Sequence, residues 1–161
     1  GDKTSKEPIP VELKFEFLGI ELNNGLIRPT SKAREKFINS IEAIFAAGSD
    51  ALIACRSGQP IHKSRSLLGS LRRVDGAIQG WGKHYRFCND HRYFGNIDTK
   101  IDGLIRQYLG IYSTERRKAA PGYARAMLGV ELLSDIDKKP FVWPTKSAKH
   151  SKDILRHAGN V

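Results

Sequence analysis

Two cysteines in 161 residues are too few, and too far apart, to staple a fold: Cys55 and Cys88 form no pairing pattern and read as reduced thiols. Apolar runs are short. The longest, such as Ala43 to Ala47, fall far below the roughly 20 residues of a membrane span, and Gly1-Asp2-Lys3-Thr4-Ser5-Lys6 lacks a signal peptide's apolar core. A cytoplasmic location, with no membrane partner, is therefore expected. There is no Gly-x-Ser-x-Gly motif to give His62 or His84 a nucleophile, which argues against Ser-His-Asp catalysis. No paired Cys-x-x-Cys is present either. His84, Cys88 and His91 are spaced four and three apart, with Cys55 as a conceivable fourth zinc ligand, but the set crosses the expected helix end near Asn89-Asp90, and no metal site is expected. Acidic residues are also scarce: 17 Asp and Glu face 27 Lys and Arg, a formal charge of +10 with a pI near 9.8. That excess favours a polyanionic partner, nucleic acid ahead of membrane.

A hydrophobic content of 40% suffices for one modest core or two small ones. Val11, Leu13, Phe15 and Phe17 alternate with charged residues, the period-2 mark of a half-buried strand, and the phase shifts at Leu18-Gly19-Ile20, as at a bulge. Asn23-Asn24-Gly25 supplies the positive φ angles of a tight turn, so a hairpin is expected from about Val11 to Arg28. Pro29-Thr30-Ser31 signals a helix start. Behind it Phe37, Ile38, Ile41, Ile44 and Phe45 recur at helical spacing until Gly48 stops the run, and this stripe reads as core. Gly48 to Pro60 is expected to be a connection with one irregular turn.

A second helix is expected from about Lys63 to Tyr85. Gly69, Gly76, Gly80 and Gly82 each cost it roughly 1 kcal/mol against alanine, so they either interrupt it or mark close approach of another backbone. A third, from about Tyr93 to Tyr112, carries Phe94, Ile97, Ile101, Leu104, Ile105, Tyr108 and Leu109 on one face. Pro121 suits the first turn of a short fourth helix with Tyr123, Ala124, Met127 and Leu128. Asp135 to Pro144 reads as irregular, anchored by Phe141 and Trp143. The fold class expected is α+β, mainly α. Its parts are a disordered leader (1–10), a hairpin (11–29), a helical bundle (30–113), a C-terminal extension packed on the bundle (114–145) and a basic flexible tail (146–161).

Gly80-Trp81-Gly82-Lys83-His84-Tyr85-Arg86-Phe87, read with Tyr93-Phe94-Gly95-Asn96-Ile97-Asp98 and Ile101-Asp102-Gly103-Leu104-Ile105-Arg106, resembles the thumb, or maturase-specific, region of group II intron-type and retron-like bacterial reverse transcriptases. The resemblance spans roughly Phe15 to Tyr112 and rests on the order of short motifs, with Gly80, Trp81, Tyr85, Phe94 and Ile97 as its structural signature. It implies that Phe17-Leu18-Gly19 opens a hairpin similar to the primer grip and that the helices behind it clamp a template–primer duplex. Partners implied are RNA, an RNA–DNA duplex, and the palm and fingers of a parent polymerase. Such polymerases hold two Mg ions on palm aspartates, one in a Tyr-x-Asp-Asp turn, to stabilise attacking hydroxyl and leaving pyrophosphate. This sequence has no Asp-Asp pair. No cofactor and no catalytic residue are therefore expected here, and the chain alone should be inactive as an RNA-directed DNA polymerase.

Charge makes a parallel case. Lys32, Arg34, Lys36, Arg72, Arg73, Lys83, Arg86, Arg92, Lys100 and Arg106, exposed on helices, would release counterions from a phosphate backbone and bind by shape more than by base identity. Taken singly, each reads equally as a solvating surface charge. Trp81, Tyr85 and Phe87 could stack on bases, although aromatics at helical spacing are more often core. The alternatives are a freestanding RNA-binding maturase module that aids splicing, and a basic protein-interaction domain.

Overall fold

The computed structural model describes residues 19–144. A two-residue turn opens it. Asn24 and Gly25 both take positive φ (50° and 80°), the backbone of a type I′ turn, and join strands β1 (Ile20–Asn23) and β2 (Leu26–Pro29) in antiparallel register, Asn23 opposite Leu26 and Ile20 opposite Pro29. The alternating segment from Val11 to Phe17, Leu18, the leader and the basic tail lie outside the described residues.

Four helices follow. Thr30 caps helix α1 (Ser31–Arg56), its Oγ1 accepting from the Ala33 N–H at 3.1 Å. Gly48 does not stop this helix: it lies buried within it, and the turns from Gly48 to Arg56, expected as connection, are helical. The missing side chain serves packing, since a Cβ here would meet Ser70 Oγ at 2.5 Å and Tyr108 Oη at 2.8 Å. With 26 residues and an 18-residue window of mean hydropathy 1.3, α1 is long and apolar enough by composition to span a membrane, a property its short runs concealed. Its apolar stripe, from Phe37 to Cys55, faces the other helices.

A 3-10 turn (Lys63–Arg65) precedes helix α2 (Leu67–His84), so the helix expected from Lys63 is broken at Ser66, whose hydroxyl caps α2 by accepting from Gly69 N–H. The glycines within α2 do not interrupt it. Gly69 lets the helix meet the Lys63 carbonyl, while Gly76, Gly80 and Gly82 face open space. Asp90 caps helix α3 (His91–Lys118), which runs well past Tyr112 and takes 114–118 from the expected extension. Leu109, expected in its core stripe, is exposed. Helix α4 (Pro121–Leu128) has Pro121 in its first turn, ends at Gly129 in the left-handed region, and buries Met127 in the core.

Contacts between side chains fix the helix directions. Phe37 meets Trp81 and Gly48 meets Ser70, so α2 runs antiparallel to α1; Trp81 meets Phe94 and Ser70 bonds Tyr108, so α3 runs antiparallel to α2 and parallel to α1. The α+β, mainly α architecture is thus a hairpin and a three-helix bundle with a fourth short helix. Residues 132–144 belong to a second unit with one 3-10 turn (Leu133–Asp135). There Phe141 and Trp143 meet edge to face at 5.0 Å, and both are three-quarters exposed.

Candidate nucleic-acid interface

One end of the bundle gathers the hairpin, the start of α1, the end of α2 and the start of α3. The hairpin is fastened there by backbone geometry. Ile27 N–H donates to Asn89 Oδ1 at 2.7 Å, while its carbonyl accepts from the Asn89 and Asp90 N–H groups at 3.0 and 3.3 Å. The α2–α3 connection therefore pairs with β2 almost as a further strand would. Gly19 sits at φ +73°, its carbonyl accepting from Thr30 N–H, and a Cβ there would press on Tyr85 Oη at 2.9 Å. Of the expected grip residues, Phe17 and Leu18 lie outside the described residues.

The aromatic signature is structural. Trp81 stacks on Phe37 with centroids 4.4 Å apart and planes 7° from parallel, with Tyr85 at 4.7 Å and the edge of Phe94 at 6.1 Å. Tyr85 is buried with Ile20 and Cys88, and Ile97 lies in the main core. Of Trp81, Tyr85 and Phe87, it is Phe87, in the connection after α2, that is exposed to a ligand. Gly80 faces open space on the outside of α2. Burial pushes the Cys55, Cys88, Tyr85 and Tyr108 groups up from their ordinary pKa values, leaving them neutral and inert near pH 7.

All ten basic residues named above are exposed. The fold brings seven of them to the hairpin end: Lys32, Arg34, Lys36 and Lys100 on the first halves of α1 and α3, Lys83 and Arg86 where α2 ends, and Arg92 where α3 begins. Arg72 and Arg73 are not with them. They sit eleven and ten residues before Lys83 on the same helix, about 16 Å along its axis. Arg106 lies mid-way along α3, on its exposed side.

Tyr93 organises this end. Its ring is buried, its hydroxyl donates to the Thr30 carbonyl at 3.3 Å, and two guanidinium groups lie over it, Arg28 at 5.0 Å and Arg34 at 5.4 Å from the centroid. Desolvation raises the Tyr93 pKa, with Arg34 the first of the groups that oppose it. Arg28 is neutralised, bonded to Glu21 at 2.7 Å with Asp90 at 3.7 Å. Its role at this junction was not anticipated from the sequence; the only signal was its place at the end of a hairpin strand. Arg34 has no such carboxylate among the described residues. A groove of about 390 Å³ opens beside it between α1 and α3, with Ile38 and Ile97 in its walls and Asn39, Asn96 and Lys100 along it. The two asparagines had no signal in the sequence beyond helical spacing.

A second basic group, Arg116, Arg117, Lys118 and Arg125, lies at the far end of the bundle, where α3 runs into α4. Part of it is committed to structure. Glu115 is buried with Arg56 Nη1 3.0 Å from its Oε2, a close ion contact whose angle falls short of a hydrogen bond, and Lys118 3.9 Å from its Oε1. Among the described residues no three His, Cys, Asp or Glu side chains gather to hold a metal ion. Comparison with family models, with curated proteins and with solved structures finds no match to the chain.

Proposed function

We propose that this chain is the nucleic-acid-gripping part of a reverse-transcriptase-like polymerase, a hairpin and thumb that hold a primer–template duplex or structured RNA by its backbone. The observation that carries the reading is the convergence of seven exposed cations at the hairpin end of the bundle, on three helices and one connection. Both ends of the bundle are basic, since Arg116, Arg117, Lys118 and Arg125 lie at the far end, and a phosphate backbone rewards such clusters by counterion release; the hairpin end is preferred because it also holds the residues of the thumb resemblance. The order of hairpin, Trp81–Tyr85 cluster and third helix agrees with the thumb resemblance. Palm, fingers and the Mg-binding aspartates would come from elsewhere in such a polymerase, and the chain itself binds without chemistry.

The test is a fluorescence-anisotropy titration of the chain with a labelled RNA–DNA duplex over a salt series. Each phosphate contact contributes about −0.9 to the slope of log affinity against log salt on a duplex, so a grip using four or more of the seven cations gives a slope steeper than about −3. Absence of binding at low salt refutes the reading. A second reading, docking to a protein, is favoured by one observation: Leu133, Phe141, Val142 and Trp143 are each at least three-quarters exposed. These side chains would suit the contact with the remainder of a polymerase.

A further inference from the structure

Six polar side chains line the α1–α3 groove, Ser31, Arg34, Glu35 and Asn39 on α1 and Asn96 and Lys100 on α3, and none forms a side-chain hydrogen bond or ion pair with another described residue. All of them are solvent-exposed, so the groove offers two cations and one carboxylate to a ligand from solution. Arg34 is moreover not free to wander: its guanidinium is seated over the buried Tyr93 ring beside that of Arg28, whose charge Glu21 and Asp90 already occupy. The positive charge left uncompensated on that ring belongs to Arg34, and an anion in the groove would relieve it.

We propose that this groove binds one stretch of ribonucleotide backbone, Arg34 and Lys100 holding phosphate while Glu35, with the Asn39 and Asn96 amides beside it, takes the ribose 2′-hydroxyl. The proposal rests on the nucleic-acid reading above and deepens it to RNA in particular. The carboxylate decides the class of ligand. A phosphate-binding cleft gains nothing from Glu35, which repels the ligand; only a ligand that also presents a donor makes it useful. The 2′-hydroxyl is the donor that RNA carries along its backbone and DNA does not.

The same interhelical surface limits the footprint. Further along α1 and α3 the lining changes to Glu42, Asp50 and Gln107, with no cation among it. A phosphate chain cannot follow the helices into it. The strand therefore crosses the bundle at its hairpin end, passing over the starts of α1 and α3, and contributes one or two phosphates at this groove.

The experiment uses the full chain and two labelled duplexes of one sequence, an RNA–DNA hybrid and the all-DNA duplex, by anisotropy over a salt series. The intact chain is expected to prefer the hybrid. Glu35→Ala should reduce that preference about tenfold, the worth of one charge-assisted hydrogen bond, while DNA affinity holds or rises. Arg34→Gln with Lys100→Gln should weaken both duplexes and flatten the salt slope by about one to two units. Arg125→Gln, at the far end, serves as control, and circular dichroism verifies that each variant is folded. If the chain binds with a steep salt slope but the groove variants keep its affinity and preference, the groove assignment is wrong and the grip lies elsewhere on the surface. If the intact chain binds neither duplex at low salt, the nucleic-acid reading and the groove fall together.

Discussion

Replacing Gly48 with alanine should destabilise this protein, against the usual direction for a glycine inside a helix. In an exposed helix interior, alanine gains about 1 kcal/mol over glycine, and Gly76→Ala, where a Cβ meets nothing within 4 Å, should show that gain. At Gly48 the new Cβ would sit 2.5 Å from Ser70 Oγ, 2.8 Å from Tyr108 Oη and 3.2 Å from the Tyr108 ring. Neither hydroxyl can swing aside freely, because both side chains are fully buried and Tyr108 donates to Ser70 at 3.0 Å. Overpacking of this kind costs about 1–3 kcal/mol, and breaking a buried hydrogen bond about 1–3 more if the pair separates. The net expectation is a loss of about 1–3 kcal/mol for Gly48→Ala beside a gain of about 1 for Gly76→Ala. Urea denaturation followed by far-UV circular dichroism should move the two midpoints in opposite directions, each by several tenths of a molar or more for an m-value of about 1–3 kcal/mol/M. Adding Ser70→Ala to Gly48→Ala should recover part of the loss, since the nearest atom is gone. A Gly48→Ala protein as stable as the parent would refute the three-helix crossing described here.

Other expectations follow from the same packing. Trp81→Ala should cost about 3–5 kcal/mol in a denaturant melt, whereas Trp81→Phe, which keeps a ring on Phe37, should cost far less and leave duplex binding unchanged; direct loss of binding in a folded Trp81→Phe protein would place the indole at the ligand instead. Asn89→Ala removes the acceptor for Ile27 N–H and should release the hairpin locally at a cost of about 1–2 kcal/mol, seen as faster hydrogen exchange in β2 with the helices still protected. Arg56→Leu strands the buried Glu115 carboxylate and should cost about 2 kcal/mol, less than a fully buried pair because the arginine is a third exposed. The raised pKa values of Cys55, Cys88, Tyr85, Tyr93 and Tyr108 mean that the unfolded chain loses these protons first. Their contribution to stability is complete below pH 9 and is lost as pH climbs past the ordinary thiol and phenol values of 9.0 and 10.0 toward the higher folded ones. A thermal midpoint that is flat from pH 8 to 11 would contradict that sign.

Local chemistry was legible in the chain wherever a short-range rule governs it. Asn24-Gly25 turns because both residues tolerate positive φ, Thr30 caps because its hydroxyl reaches the third N–H ahead, Pro121 begins a helix because it needs no donor there, and the apolar stripes of α1 and α3 repeat at 3.6. Gly48 was misread for the reason that makes it informative: propensity penalises glycine in a helix, and only knowledge of what crosses α1 there explains why no side chain fits. The extra length of α3 was hidden likewise, since Glu115 is polar by type and buried only because Arg56 is brought to it.

The sequence by itself settled the excess of positive charge, the lack of any disulfide framework and the helix and turn signals, because composition and neighbour spacing are properties of the chain. Which cations lie together was decided only by the tertiary structure. Running α1 and α3 parallel places Lys32, Arg34, Lys36, Arg92 and Lys100 at the end where α2 delivers Lys83 and Arg86, and leaves Arg72 and Arg73 far along the helix. Helix direction depends on residues distant in sequence, such as Phe37 with Trp81 and Ser70 with Tyr108, and no local pattern encodes those pairings.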